Sequence, residues 1–175
     1  MGRMKEPLPT ALPVVSVVGP GGVGKTSLIE ALARELGRRG HRVACIKHSH
    51  HAGLLPDPPG TDTARLAAAG AAAVVLAAPG LVCLRRADGG QWPLPALVSL
   101  LEGTADLVLT EGYREAPTPK VLVLRRGLPS VPVTGPVLAV VGDAPEGWSG
   151  PTFSHDDAAA LARLLERHLG LTERH

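Results

Sequence analysis

Short apolar runs alternate along this chain with stretches where apolar positions return every three or four residues. Val14-Val15-Ser16-Val17-Val18 predicts a strand over 14–19. The stretch after it, with Leu28, Ile29, Leu32 and Leu36 in helical register, predicts a helix over 25–39 closed by Gly40. A second strand is expected over 42–47, then a loop over 48–60 rich in His, Pro and Gly. Thr61 or Asp62 is placed to cap a short helix that Gly70 ends. Runs over 72–77 and 81–86 flank Pro79-Gly80 and read as a hairpin. A helix over 94–101, strands over 107–110, 121–125 and 137–141, and a final amphipathic helix over 156–169 complete the pattern.

The runs that begin at Val14, Arg42, Leu107 and Val137 are apolar throughout, which suits central parallel strands covered on both faces. The segments around 72–86 and Val121 are expected to add antiparallel edges. Residues 1–11 read as a loose tail, and 12–175 as one domain, the usual outcome for a chain of 175 residues.

Composition narrows the classes. Apolar residues make up 45 % of the chain, enough for a core, but built from Val, Leu and Ala rather than aromatics. A net charge of +2 and only four Phe, Trp and Tyr residues argue against nucleic-acid binding by charge or by base stacking. No apolar run is long enough to cross a membrane, and the N-terminus lacks the apolar core of a signal peptide, so a cytoplasmic protein is expected. Cys45 and Cys83 sit in apolar runs without a nearby partner and read as buried thiols.

The chemistry starts at Gly19-Pro20-Gly21-Gly22-Val23-Gly24-Lys25-Thr26, a full G-x-x-x-x-G-K-[ST] match between the first strand and the first helix. Loop N–H groups and the helix dipole make an anion cradle there. Expected nucleotide contacts are Gly19, Gly21, Gly22, Val23, Gly24, Lys25, Thr26 and Ser27, with Lys25 on the β- and γ-phosphates and the Thr26 hydroxyl on Mg²⁺. The fold expected is therefore α/β: a three-layer P-loop NTPase-type domain with a mostly parallel, mixed sheet.

Such a site needs an acid at the C-terminal end of a neighbouring strand. Asp106 lies at the wrong end of its strand, about 15 Å away at strand rise. Glu111 lies at the right end and is the expected Mg²⁺-side carboxylate. Asp62 is either a helix cap or a second Mg²⁺ acid in a γ-phosphate-sensing loop, with Arg65 near an anion. Lys47, His48 and His50 stand at the end of the second strand, with His51 next to them; they read as contacts to phosphates or to a second anionic ligand, or as a solvated loop. Three His without Cys suit Zn²⁺ or Ni²⁺ poorly, and adjacent His50 and His51 diverge in extended chain. The chain has no Asn, so the Asn-Lys-x-Asp segment that many GTP-binding proteins use is excluded. A lone Asp still accepts from guanine N1–H and N2–H₂, a donor pair adenine lacks. Asp143, just past the last strand, is the candidate, beside the plainer reading of a turn aspartate.

Taken together, the chain resembles the molybdopterin-guanine dinucleotide biosynthesis adaptor (MobB) family. The resemblance rests on the P-loop, on Lys47-His48-x-His50-His51, and on Asp57-x-x-Gly60-x-Asp62-x-x-Arg65 followed by Ala69-Gly70-Ala71. It also rests on Asp106-x-x-x-x-Glu111-Gly112-Tyr113 with Pro119-Lys120 close behind. It implies a homodimeric GTP-binding protein with Mg²⁺ that assists a molybdopterin guanylyltransferase, the enzyme that attaches GMP to molybdopterin. It also implies weak GTPase activity at most. Pro20 stands where related partitioning and nitrogenase-type ATPases carry a lysine, which fits slow hydrolysis. Direct binding of molybdopterin through the basic, His-bearing loop is an inference from charge. Two other classes compete: a nickel metallochaperone GTPase, motivated by the His cluster, and a small-molecule P-loop kinase.

Overall fold

The computed structural model describes residues 12–49, 58–86 and 90–172. They fall into two compact units, Met1–Ser49 with Pro93–His175, and His50–Trp92.

The first unit holds strands β1 (Val14–Val18), β2 (Val43–Lys47) and helix α1 (Lys25–Arg38). After the second unit's helix α2 (Asp62–Ala68) and strands β3 (Ala73–Ala78) and β4 (Leu81–Arg86), it resumes with α3 (Leu94–Ser99), β5 (Leu107–Glu111) and β6 (Lys120–Leu124). It ends with β7 (Val137–Gly142), β8 (Thr152–Phe153) and α4 (Ala158–Leu169). Six strands form one sheet in the order β2-β5-β1-β6-β7-β8, and every pair in it is parallel. All C-terminal strand ends therefore share one edge, where α/β sheets take their ligands.

Strand alternation sorts the two faces. Val15 and Val17 of β1 pack with Leu28, Leu32 and Leu36 of α1 and Leu161 and Leu165 of α4, all buried. Each of these leucines contributes about 1.5–3 kcal/mol on full burial. The opposite face carries a cluster of Val108 with Leu94 and Val98 of α3, and a second of Val18, Leu122, Leu124 and Val140. Helices, sheet, and α3 with its loops make three layers. One buried ionic group ties α1 to α4: Glu166 accepts from Arg39 Nε at 2.8 Å and Nη2 at 2.7 Å, and from His41 Nε2 at 2.8 Å. Those hydrogen bonds, the Arg39 pair first, hold the Glu166 carboxyl below its ordinary range.

Several expectations change. The strand at Val121 is no antiparallel edge: β6 is interior, parallel to both β1 and β7. The chain reaches it through residues 112–119, which carry it past β1 without a helix, shorter than most parallel crossovers. The hairpin pairs with itself as a separate two-stranded sheet. The strand over 42–47 is the sheet edge rather than central, so Cys45 is exposed rather than buried. The two-residue β8 lies below any sequence signal. Among the described residues no helix is long and apolar enough to cross a membrane.

Candidate functional site

Gly19 can only be glycine: a Cβ there would collide with the backbone carbonyl oxygen of Val123 on β6. The loop then turns through Gly22 and enters α1 at Gly24, whose φ of 89° is left-handed. No side chain caps α1, so its first-turn N–H groups at the loop have no side-chain partner from the cap. That is the anion cradle the motif calls for. Lys25 Nζ donates to the Pro20 carbonyl at 2.5 Å, so its ammonium lies folded across the loop.

The register of three parallel strands brings the acid to the loop. Glu111 stands beside Val17 of β1 and beside Lys47 of β2. Thr26 donates through Oγ1 to Glu111 Oε2 at 2.7 Å, and Lys47 Nζ lies 3.5 Å from Oε1. A hydroxyl and a carboxylate in contact at a phosphate loop form a hard-oxygen set that fits Mg²⁺. The sequence placed Thr26, Glu111 and Lys47 at one edge, and the structure puts them in contact. Asp106 is at the far end, held to Arg42 by a 2.9 Å ion pair.

His48 is turned toward Tyr113, with ring centroids 4.8 Å apart. Its Cβ would lie 3.2 Å from a Cβ on Gly112, so glycine lets the two strand ends close up. Tyr113 itself has φ 58°, alone among the described non-glycine residues in being left-handed. Such strain persists where surroundings over-determine it. Burial raises the Tyr113 hydroxyl above its ordinary range. His50 and His51 lie outside the described residues, and no group of three metal-ligating side chains occurs among those described.

Asp143 sits past β7 on the same strand edge. Its Oδ2 accepts from the Arg126 N–H at 2.7 Å, which joins the ends of β6 and β7, and Oδ1 has no hydrogen bond among the described residues. Asp62 and Arg65 belong to the second unit. Thr61, not Asp62, is the N-cap of α2, and Asp62 pairs with Arg65 at 3.4 Å.

Two further residues support the site through contacts that no motif announces. His155, between β8 and α4, bonds through Nε2 to the Val23 carbonyl at 2.9 Å, and its ring fills the space beside Gly24. A lone histidine so far along the chain gives no signal of that contact. Lys120 is fully buried. Its ammonium donates to the Ala116 and Thr118 carbonyls at 2.6 and 2.7 Å and to Thr118 Oγ1 at 2.6 Å. The hydroxyl chain continues through Ser16 to Thr110 at 2.6 and 2.8 Å. The helix-free crossover after Glu111 has buried carbonyls to satisfy, and Lys120 satisfies them. Burial lowers its ammonium to about 8.

Comparison with known proteins extends this picture. The family model for MobB, molybdopterin guanine dinucleotide synthesis protein B, matches residues 14–143. The molybdopterin-guanine dinucleotide biosynthesis adapter protein of Haemophilus influenzae is 36 % identical over 137 residues, 77 % of this chain and 76 % of the relative. The adapter protein of Escherichia coli is 31 % identical over 163 residues, 89 % and 93 % of the two chains. The crystal structure of Bacillus subtilis MobB superposes with a TM-score of 0.66 at 28 % identity, covering 89 % of this chain and 98 % of that one.

Proposed function

This chain belongs to the MobB family, and on that premise we propose that it is a cytoplasmic, homodimeric adapter that binds GTP with Mg²⁺. It would serve a molybdopterin guanylyltransferase in making molybdopterin guanine dinucleotide. The observation that carries the nucleotide part is the Thr26–Glu111 contact of 2.7 Å at the mouth of an uncapped helix N-terminus. The loop and Lys25 would hold the phosphates, and Thr26 and Glu111 would hold Mg²⁺. Asp62 stays as an expected further acid, and Lys47, His48 and Arg65 as contacts to phosphate or to molybdopterin. Asp143 supports guanine over adenine because its Oδ1 keeps acceptor capacity for the N1–H and N2–H₂ pair. Weak hydrolysis fits Pro20 in the loop, which offers no cation to a partner subunit.

The homodimer reading is supported by the hairpin. Leu81, Val82, Leu84 and Val75 are all exposed, Val82 at 74 %. A two-stranded sheet with bare apolar residues is marginal in water and gains by meeting a second copy. Light scattering should give twice the 18.1 kDa chain mass.

Reconstitution tests the function. Purified transferase, molybdopterin and limiting GTP should form the dinucleotide faster with this chain than without it, and Lys25→Ala should remove the gain. An unchanged rate, or a full gain from Lys25→Ala, would contradict the proposal.

A further inference from the structure

Strand alternation sends Arg85 and Arg86 to opposite faces of the hairpin. Arg86 lies with its guanidinium 5.0 Å from the Trp92 ring centroid. Arg85 stands directly across from Val74, and such cross-strand partners share a face. Val74 is the buried residue of β3, and α2 packs on that strand. Arg85 therefore lies half-buried on the covered face, yet it makes no ion pair or hydrogen bond among the described residues.

A cleft of about 330 Å³ opens between α2 and β4 at this point. Arg85 and Arg65 line it, with Pro59 and the methyl groups of Ala64, Ala67 and Ala68, and no carboxylate is among the described residues that line it. Asp62 meets Arg65 at 3.4 Å, but both side chains are more than two-thirds exposed, so solvent screens that pair. Two guanidinium groups in an apolar cleft, with the exposed Asp62 as their one acidic neighbour among the described residues, are a site for an anion. Planar forks match tetrahedral oxyanions two oxygens at a time. The volume is that of a small-molecule pocket, larger than a bare oxyanion needs, and the alanine wall offers contact to carbon.

We propose that the cleft between α2 and β4 binds a small organic phosphate monoester, with Arg85 and Arg65 on the phosphate and the alanine wall against the organic part. The identity of the monoester rests on the adapter reading, under which it is the anionic phosphate of molybdopterin. The site itself does not depend on that reading.

The test is a titration of the full chain with phenyl phosphate, followed by NMR, with inorganic phosphate in parallel. Lys25→Ala serves as a second background in which the phosphate loop is disabled. Phenyl phosphate should bind the parent and Lys25→Ala alike, and more tightly than inorganic phosphate. Arg85→Gln should weaken it at least tenfold and Arg65→Gln several-fold, and Arg85→Lys should restore only part, since an ammonium cannot fork. Arg65 is exposed on α2, so its variant keeps the test sound should Arg85→Gln disturb the hairpin. Parental binding by both Gln variants overturns the site, as does loss in Lys25→Ala with none in Arg85→Gln. Inorganic phosphate binding equally well overturns the organic part. Arg85→Gln should bind GTP as the parent does. Arg85-dependent phenyl phosphate binding in a parent that ignores GTP would leave the cleft standing and the nucleotide reading refuted.

Discussion

The two sheets of this protein use the same residues to opposite ends. In the six-stranded sheet Val15, Val17, Val121 and Val123 are wholly buried, and even the serine, threonine and lysine on the second face find partners in one another. In the hairpin Val75 and Val82 are 57 % and 74 % exposed, and Val74 alone is buried. Valine content therefore says little about burial; what covers both faces decides it. The parallel sheet is covered on both faces, and its strand β1 leads into the phosphate loop. Among the described residues the hairpin leaves Val75, Leu81, Val82 and Leu84 exposed and Arg85 without an ion pair or hydrogen bond, as suits a part that meets something else.

The contrast breaks most visibly under core truncation. Leu109→Ala in β5 should cost about 2–5 kcal/mol, read as a lowered urea midpoint. Val82→Ser, in the hairpin, should change the stability of a single chain by less than about 0.5 kcal/mol. Its effect should appear instead as loss of any concentration dependence in the melting temperature, because the proposed association would run through that exposed face. Equal costs for the two substitutions would dissolve the distinction.

Next in size is the Arg39–Glu166–His41 group. Removing one member of a buried pair strands the other, so Glu166→Ala should cost about 3 kcal/mol or more. The folded Glu166 carboxyl is held below its unfolded value, chiefly by Arg39. Its contribution is thus present above the ordinary carboxylate range and is lost as pH falls through the lowered folded value. The parent should lose more stability than the variant between pH 5 and pH 3, by urea unfolding at each pH. In the phosphate loop, Lys25→Ala should weaken GTP by about 2 kcal/mol, roughly thirtyfold, since a charge-assisted contact disappears.

Lys120 gives the sharpest sign. Its folded value of about 8 lies below that of an unfolded lysine. Between the two the unfolded chain binds more protons, so stability should rise with pH from about 8 to 10 in the parent. Lys120→Met should flatten that rise; an identical slope would remove the buried ammonium from the account.

The sequence made the phosphate loop, α1, β5 and Glu111 legible because each is written locally, in a glycine spacing or an apolar period. Asp106 was placed at the wrong end of its strand by counting alone, and the Arg42 pair lies there. The interior place of β6 and the edge place of β2 depend on pairings between distant segments, which no local pattern records. Lys120 entered only as part of the family pattern beside Pro119, because its acceptors are loop carbonyls, invisible in residue types. His155 reaches Val23 across 132 positions, and Arg85 differs from Arg86 only by the face it takes.

The central claim is a guanine nucleotide held by the loop, Glu111 and Asp143. The most direct measurement is calorimetric titration of the protein with Mg-GTP and Mg-ATP, with and without the guanylating transferase, in the parent and in Asp143→Ala. The account predicts preference for GTP, tighter binding when the transferase is present, and loss of the preference in Asp143→Ala. Preference for ATP, or indifference to the transferase, would contradict it.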